Sequence, residues 1–563
     1  MSYDFDAIVI GSGVSGGWAA KELTEKGLKT LVVERGRNVR HRIDYPTEST
    51  PPWAIPFNAR IPQAERDRDY PTQIRGQLSQ YNKHFYVKDS ERPYVQEKPF
   101  VWIRGDQVGG KSLLWARQVY RWSDLDFSAN AKDGHGTDWP LRYRDIAPWY
   151  DHVERFAGVA GNRDGIAHLP DGVFQPAFGL TDPELFIKSK VEAAFPGRYI
   201  INARVANLTQ PTEEQLQLGR APCQARNQCN RGCSFGAYFS SQSSTLPAAE
   251  RTGNLTLLPD TVVHSLVHDP ISKRVSAVRL IDTRTKASRE VRARIVFVCA
   301  STLASTQLLL NSMDEIFPNG IGNSSGVLGR YLMDHVWGGG ASGTVPGFEQ
   351  SFYRGRRPGA VYVPRFRNVE STDALPFLRG YGYQGGSSRG SWGSVGAKAG
   401  IGESFKAQLG RPGGWGFSIG GIGEMLPRYE NHVSLDPRQR DEFGVPLLRV
   451  SCEYSDNERA MVRDMAKAAG EMLRAAGLTD VKEDAEDDTP GVVIHEVGTA
   501  RMGLDPRTSY LNAFSQSHDV PNLFVTDGAA FASSSCVNPS LTFMALTARA
   551  ADYAVTQIKA GRL

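Results

Sequence analysis

Short apolar runs and the residues that punctuate them divide the chain. Residues 6 to 10, Asp-Ala-Ile-Val-Ile, read as a buried strand; a glycine-rich turn follows, Ala19, Ala20 and Leu23 recur at helical spacing as far as Gly27, and Thr30 to Val33 form a second apolar run. Continuous short apolar runs suit strands covered on both faces, so this pattern predicts a parallel βαβ unit at the first residues. Ile295 to Cys299 and Leu523 to Val525 are similar runs, each followed by small residues and a helical pattern, and are expected as further buried parallel strands. Between Leu255 and Val298, alternation around Val262, Val275 to Leu280 and Arg289 to Ala293 predicts an antiparallel meander. Residues 338 to 422 carry glycine and aromatic residues in a strand-like rhythm, and Asn457 to Ala476 has the period of an amphipathic helix. Together they are expected to build a second, substrate-facing layer. No linker rich in Pro, Gly or Ser divides the chain cleanly and no internal repeat occurs, so the domains are expected to interleave.

Composition narrows the function classes. The 563 residues are 40% hydrophobic and 22% charged, which is ample for more than one core and excludes disordered and fibrous classes. Lys plus Arg is 65 against 61 for Asp plus Glu, and this balance, without a long basic run, argues against nucleic acid as a partner. No apolar run reaches the roughly 18 residues of a membrane span, and the opening Met-Ser-Tyr-Asp-Phe-Asp lacks the order of a secretory signal. The chain is therefore expected to have neither a transmembrane segment nor an export signal of its own.

Gly11-Ser-Gly13-Val-Ser-Gly16 is a G-x-G-x-x-G between strand and helix, and Glu34 closes the next strand where an acidic partner for a ribose hydroxyl is expected. The first glycine permits the turn, the second lets backbone N–H groups approach a pyrophosphate, and the helix terminus attracts negative charge. An acidic Glu34 disfavours a 2′-phosphate, leaving NAD and FAD. The same turn contains Gly13-Val-Ser15-Gly-Gly17, a G-x-S-x-G that also marks the nucleophile elbow of α/β hydrolases. The oxyanion loop of such an elbow comes from an earlier strand, and only ten residues precede this turn, so hydrolysis is the weaker reading.

Further stretches resemble the glucose-methanol-choline (GMC) family of FAD oxidoreductases nearly from end to end. They are Gly109-Gly-Lys-Ser-Leu-Leu-Trp115, Asp138-Trp-Pro140 with Tyr143 and Tyr150, Cys299-Ala-Ser-Thr302 running into Leu308-Leu-Leu310, and Leu328-Gly-Arg-Tyr-Leu-Met-Asp-His335. His495-Glu-Val-Gly-Thr499, Val525-Thr-Asp527-Gly and Asn538-Pro-Ser-Leu-Thr542 complete the pattern. The resemblance implies an α/β fold in which a Rossmann-like FAD-binding domain (residues 1–45, 101–335 and 491–563) interleaves with a substrate domain (46–100 and 336–490) built on a mainly antiparallel sheet with helices. It places Gly109 and Gly110 against the flavin, Val263 at the adenine and Asp527 near the ribityl-phosphate end, with Ser112, Asn538 and Thr542 also among the residues that bind the cofactor. Some sugar oxidases of the family attach the flavin to a His before the Trp; Leu114 stands there, so FAD is expected to be non-covalent.

Oxidising an alcohol by hydride transfer requires a base for the hydroxyl proton and a neighbour that orients the oxygen. His495 suits the base, because imidazole titrates near neutrality. Asn538, 43 residues downstream, lies where the family places His or Asn and can orient the oxygen without taking a proton. Asn-Pro before the apolar run Leu541 to Ile558 also reads as an N-cap with proline at the first helical position. Gln384, Trp392 and Glu424 are candidate pocket residues that read equally as packing or surface.

Three of the six cysteines crowd together as Cys223-x5-Cys229-x3-Cys233, within a loop at about 220–240 and without a nearby His. Spacing alone leaves zinc with a distant fourth ligand, a partial disulfide and an iron–sulfur cluster open. Cys299, Cys452 and Cys536 read as small buried hydrophobes. Within the family, the trio resembles the large catalytic subunit of bacterial FAD-dependent glucose and glucoside 3-dehydrogenases, in which cysteines so spaced hold a 3Fe-4S cluster. Arg121-Trp-Ser-Asp-Leu-Asp-Phe127 points the same way. That resemblance implies oxidation of a sugar or glucoside at carbon 3 and relay of electrons to an external acceptor. A pyranose oxidase using dioxygen, or a dehydrogenase acting at carbon 1 or 2, is the alternative. No C-x-x-C-H haem motif occurs, so a separate cytochrome c-type acceptor is expected. A small accessory subunit carrying the export signal would take the folded complex to the periplasm, with the cytoplasm as the fallback location.

Overall fold

Strand β1 (Phe5–Ile10) is buried along its last four residues and pairs in parallel with β2 (Thr30–Val33) on one side and β9 (Ala293–Val298) on the other. Strand β5 (Leu255–Leu258) extends the sheet beyond β2 and β18 (Leu523–Val525) beyond β9, giving five parallel strands in the order β18-β9-β1-β2-β5. The helices Val14–Glu25 and Ser540–Lys559 pack against each other beside this sheet. The computed structural model describes residues 3–353, 358–370, 375–390, 400–410, 412–486 and 488–563. Trp392 lies outside the described residues.

The expected meander is present as β6 (Thr261–Asp269), β7 (Arg274–Asp282) and β8 (Ser288–Val291), paired antiparallel. A second small sheet joins β15 (His432–Arg440), β16 (Pro446–Ser451) and β3 (Val95–Gln96). The glycine- and aromatic-rich region supplies most of an antiparallel sheet ordered β17 (Thr479–Ala485), β11 (Gly339–Val345), β14 (Trp415–Glu424), β13 (Tyr381–Arg389), β12 (Val361–Val363) and β4 (Ile201–Asn202), with β10 (His335–Val336) also on β14. This parallel Rossmann-type sheet beside a larger antiparallel one is the α/β architecture expected from the sequence.

The glycines of the second sheet have a steric cause. The amphipathic helix Asp456–Ala475 crosses it so closely that a Cβ on Gly339 would lie 2.4 Å from the Met465 Cβ and 2.6 Å from the Val462 carbonyl oxygen. A Cβ on Gly423 would meet the sulfur of Met461 at 2.4 Å. The helix begins on a capping box, in which Ser455 and Glu458 satisfy each other's end of the first turn.

Two motif segments prove to be packing. Trp122, Phe127, Trp139 and Phe531 meet edge to face with ring centroids 5.1 to 5.7 Å apart, or tilted in the case of Trp122 and Phe127, and the Trp139 indole N–H donates to Ser533 Oγ at 2.7 Å. This aromatic knot buttresses the 531–535 segment, which leads directly to Asn538.

Gly339→Ala should destabilise the protein by about 1–3 kcal/mol through overpacking against the helix. Gly416→Ala, whose new Cβ would meet nothing closer than 3.7 Å, should leave the urea midpoint nearly unchanged. Equal midpoints for the two variants would contradict this account of the glycine rhythm.

Candidate active site

A cleft of about 650 Å³ lies where the sheets meet, lined by Gly11, Gly13, Glu34, Gly110, Ser112, Val263, Asp527, His495 and Asn538. Leu114 also lines it. The turn at its edge is built by close contact. Gly11 takes φ +93°, and a Cβ on Gly16 would sit 1.9 Å from the Gly11 carbonyl oxygen, so the helix rests directly on the end of β1. Gly13 differs: a Cβ there would meet nothing within 4 Å, so packing within the chain does not demand glycine. The helix it starts has no side-chain cap and no acidic residue in its first turn. Free N–H groups beside unfilled space are what an anionic pyrophosphate requires.

Glu34 is buried, and burial pushes its carboxyl up to about 7 against the hydrogen bonds of Ser12 and Gly36. Its Oε2 accepts from the Ser12 N–H at 3.1 Å and the Ser12 hydroxyl at 2.5 Å. The same hydroxyl oxygen accepts from the Gly109 N–H at 2.9 Å, so Ser12 ties the first turn to the 109–112 segment. This cradle fits a dinucleotide such as FAD.

At the catalytic end, His495 stands against His335, with Nδ1 to Nδ1 at 2.8 Å. His335 is fully buried, and its other nitrogen, Nε2, lies 3.0 Å from the Ser534 carbonyl oxygen. A carbonyl only accepts, so His335 carries its proton on Nε2; burial pushes its pKa down to about 4, so its Nδ1 is an acceptor. His495 must then donate from Nδ1, which leaves its Nε2 as a bare lone pair. Asn538 Nδ2 lies 3.4 Å from that Nε2, and Asn538 Oδ1 accepts from Gln384 Nε2 at 2.6 Å. Gln384 thereby turns the Asn538 amide so that a donor and the lone pair face the same space.

The loop bearing His495 is held by Asp334. This fully buried carboxylate accepts from the backbone N–H groups of Gly491 at 2.8 Å, Val493 at 3.2 Å and His495 at 2.9 Å. The anchoring sustains Ile494 at φ +66°, a left-handed conformation costly for a β-branched residue. Lys111 Nζ pairs with the buried Glu496 at 2.9 Å. Burial, then His335 and Lys111, hold the His495 pKa well below the ordinary imidazole value.

Some sequence expectations resolve differently. Gly16, Gly109 and Thr542 stand behind the cleft wall: Gly16 on Gly11, Gly109 against the Gln242 side chain, and Thr542 hydrogen-bonded to the Tyr150 hydroxyl at 2.8 Å. Asn538 is not the N-cap of the last helix. Pro539 occupies that position, and the Asn538 side chain is spent on Gln384 and His495 instead. Glu424 is no pocket residue, because it is buried in an ion pair with Arg379, whereas Gln384 does line the cleft. Sequence reasoning gave no role to His335, Asp334 or Lys111, although all three stand in the recognised stretches.

Cys223, Cys229 and Cys233 are partly buried free thiols that line one small concavity with Asn207, Arg226 and Tyr238. Among the described residues, no three His, Cys, Asp or Glu side chains are disposed to hold a metal ion. Burial, then the other two cysteines, raise the Cys223 pKa. The concavity backs onto the cleft: the Tyr238 hydroxyl donates to the Leu113 carbonyl at 3.3 Å, and the Arg117 guanidinium, whose residue lines the cleft, lies 5.1 Å from the Tyr238 ring centroid.

Comparison with known proteins places relatives along nearly the whole chain. Residues 5–337 and 427–547 match the N-terminal and C-terminal family models of the GMC oxidoreductases. The chain is 30% identical to 2-methyl-1,2-propanediol dehydrogenase of Mycolicibacterium austroafricanum, covering 97% of this chain and 94% of that protein. It is 27% identical to the fructose dehydrogenase large subunit of Gluconobacter japonicus, over 99% and 98% of the two chains. A shorter match, 30% identical over 54% of this chain and 55% of the other, is to C-glycoside 3-oxidase of Microbacterium trichothecenolyticum. The solved structure of pyridoxine 4-oxidase from Mesorbium loti superposes with a TM-score of 0.59 at 16% identity, covering 97% of this chain and 98% of that one, and so shares the fold.

Gly13→Ala should fold normally and retain less flavin on purification, whereas Gly16→Ala should displace the helix and lower the melting temperature as well. Normal flavin content in Gly13→Ala would show that the space beside it is not used. Lys111→Met removes a positive charge that disfavours the His495 imidazolium, so the His495 pKa rises. The acid limb of the kcat/KM profile, which reports the free enzyme, should move to higher pH. A limb that stays in place or moves to lower pH would contradict the assignment.

Proposed function

Because the chain belongs to the GMC oxidoreductase family, we propose that it is a dehydrogenase oxidising a secondary hydroxyl of a sugar or glucoside, at carbon 3, and passing the electrons to an external acceptor. Membership makes it an oxidoreductase acting on CH–OH groups with FAD. The reading rests above all on the His495–Asn538 pair and the proton arrangement that His335 imposes on it. When bound, FAD supplies N5 as hydride acceptor, and a 3Fe-4S cluster on Cys223, Cys229 and Cys233 supplies a one-electron carrier.

His495 Nε2 takes the hydroxyl proton while Asn538 Nδ2–H holds the hydroxyl oxygen. The amino end of helix Ser540–Lys559 reaches the cleft through Ser540 and Phe543, and its dipole favours negative charge there. Leu114 offers no nucleophile, which supports non-covalent FAD. Trp115 and Trp337 together with Gln118 and Gln384 give the cleft apolar surface and amide groups, a combination suited to a sugar ring and its hydroxyls.

The relay reading starts from the cysteine trio, which lines one concavity. Tyr238, which lines that hollow, hydrogen-bonds the Leu113 carbonyl and stands against Arg117 of the cleft wall. The C-glycoside 3-oxidase relative favours carbon 3, and the relative named as a large subunit favours an accessory subunit. In this reading the subunit carries the export signal, a c-type cytochrome takes the electrons, and the complex works in the periplasm. The 2-methyl-1,2-propanediol dehydrogenase relative favours a second reading, oxidation of a small non-sugar alcohol.

His495→Ala should keep its flavin and lose about 10²- to 10⁴-fold in alcohol oxidation. Near-normal turnover would remove His495 from the chemistry. With wild-type enzyme, NMR should identify a 3-keto product; a 2-keto sugar or a lactone would overturn carbon 3. Stoichiometric zinc without iron would overturn the relay, and oxygen consumption matched by peroxide would make the protein an oxidase.

A further inference from the structure

Trp337 lines the cleft two residues beyond His335 and is 36% exposed. Its direction is set by a break in the strand that carries it. Val336 of β10 pairs with Gly423 and Gly340 of β11 with Gly420, so three residues, 337–339, face two, 421 and 422, and Gly338 takes up the excess at φ +125°. This is a β-bulge, which bends a strand and re-aims the side chain beside it. Regular alternation would put Gly339 on the same face as Trp337. Instead Gly339 faces the helix Asp456–Ala475, where a Cβ would meet that of Met465 at 2.4 Å, while the indole is turned into the cleft.

A second glycine seats the ring. A Cβ on Gly420 would lie 2.6 Å from Trp337 Cη2 and 3.2 Å from Cζ2 and Cζ3, so the outer edge of the six-membered ring rests in a notch that exists because residue 420 has no side chain. Gly420 of β14 is the register partner of Gln384 on β13, and Ile422, two residues on, lines the cleft from the same face of the sheet. Gln384 in turn holds Asn538. The edge of the indole is therefore fixed beside the row of residues that ends at the reacting groups.

We propose that Trp337 is a specificity-determining residue of the cleft, a flat platform on which the C–H face of a pyranose ring stacks while the reacting hydroxyl meets His495 and Asn538. The inference rests on the sugar reading above and adds to it the residue that sorts ring substrates from small open-chain alcohols. A pyranose whose hydroxyls are equatorial presents a face of C–H groups. Covering that face with an aromatic one removes apolar surface from water on both partners. An open-chain alcohol of a few carbons has no such face and gains little from the platform.

The test follows anaerobic flavin reduction against methyl glucoside concentration in the flavin-loaded full chain, wild type and the variants Trp337→Phe, Trp337→Leu and Gly420→Ala. Melting temperature and flavin content are measured first. Trp337→Phe keeps a flat ring and should bind the glucoside nearly as well as wild type. Trp337→Leu keeps apolar bulk without a flat face and should weaken binding about 10- to 100-fold, while the limiting rate of reduction changes less than the affinity. Its preference for methyl glucoside over glycerol, as a ratio of kcat/KM, should fall by a similar factor. Gly420→Ala, whose methyl displaces the ring, should weaken glucoside binding in the same direction. Equal affinities in wild type and Trp337→Leu, or a defect confined to the limiting rate, overturn the platform and leave sugar oxidation standing. If Trp337→Leu does not fold, Gly420→Ala decides, and a wild-type affinity there overturns the platform. A wild-type flavin that neither methyl glucoside nor glucose reduces overturns the sugar reading, and the platform with it.

Discussion

The contact between Gly16 and the carbonyl of Gly11 governs the architecture. With no side chain at either position, the first helix can lie directly on the end of β1, which brings its uncapped amino terminus to the mouth of the cleft. A second glycine contact of this corner, Gly11 against the Cys299 carbonyl, seats the end of β9 closely as well. Ser12, trapped in the same turn, then reaches both Glu34 on one side and Gly109 on the other. A methyl group at position 16 would therefore disturb more than one helix, because the nucleotide cradle and the 109–112 segment are both referenced to this corner.

Much of this was legible in the sequence, for identifiable reasons. The parallel strands are buried on both faces and so advertise themselves as apolar runs, and β2 and β18 fall on the expected residues. The long amphipathic helix is displaced by one residue, from Asn457–Ala476 to Asp456–Ala475, since Ser455 is its true cap. The antiparallel sheet was harder to read, because part of its glycine pattern, at Gly339, Gly421 and Gly423, is set by a helix distant from Gly339 in sequence. Glu424 looked like a pocket acid because its partner, Arg379, is fixed only by the fold.

The active-site pair was legible as residue types and spacing, but its protonation was not. Which nitrogen of His495 is bare depends on His335, and that in turn depends on a carbonyl at Ser534. Neither dependence leaves a local sequence signal, since the residues come from three distant segments. The orientation of Asn538 is similar: its helix-capping signature was plausible locally, and Gln384 from β13 overrode it. The cysteine concavity and the cleft are separate, and Tyr238 of the one stands against Arg117 of the other.

Asp334 and His335 are adjacent in the chain, and they control different properties of the same group. Asp334 fixes where the backbone of His495 lies, and His335 fixes which of its nitrogens is free. Position and protonation therefore share one mechanical origin and cannot drift independently. A molecule in which this dipeptide shifts loses both at once, so a partly inactivated sample would be a mixture of fully competent and silent molecules. In such a sample the number of working sites would fall while the intrinsic rate and the pH profile of the survivors stayed constant.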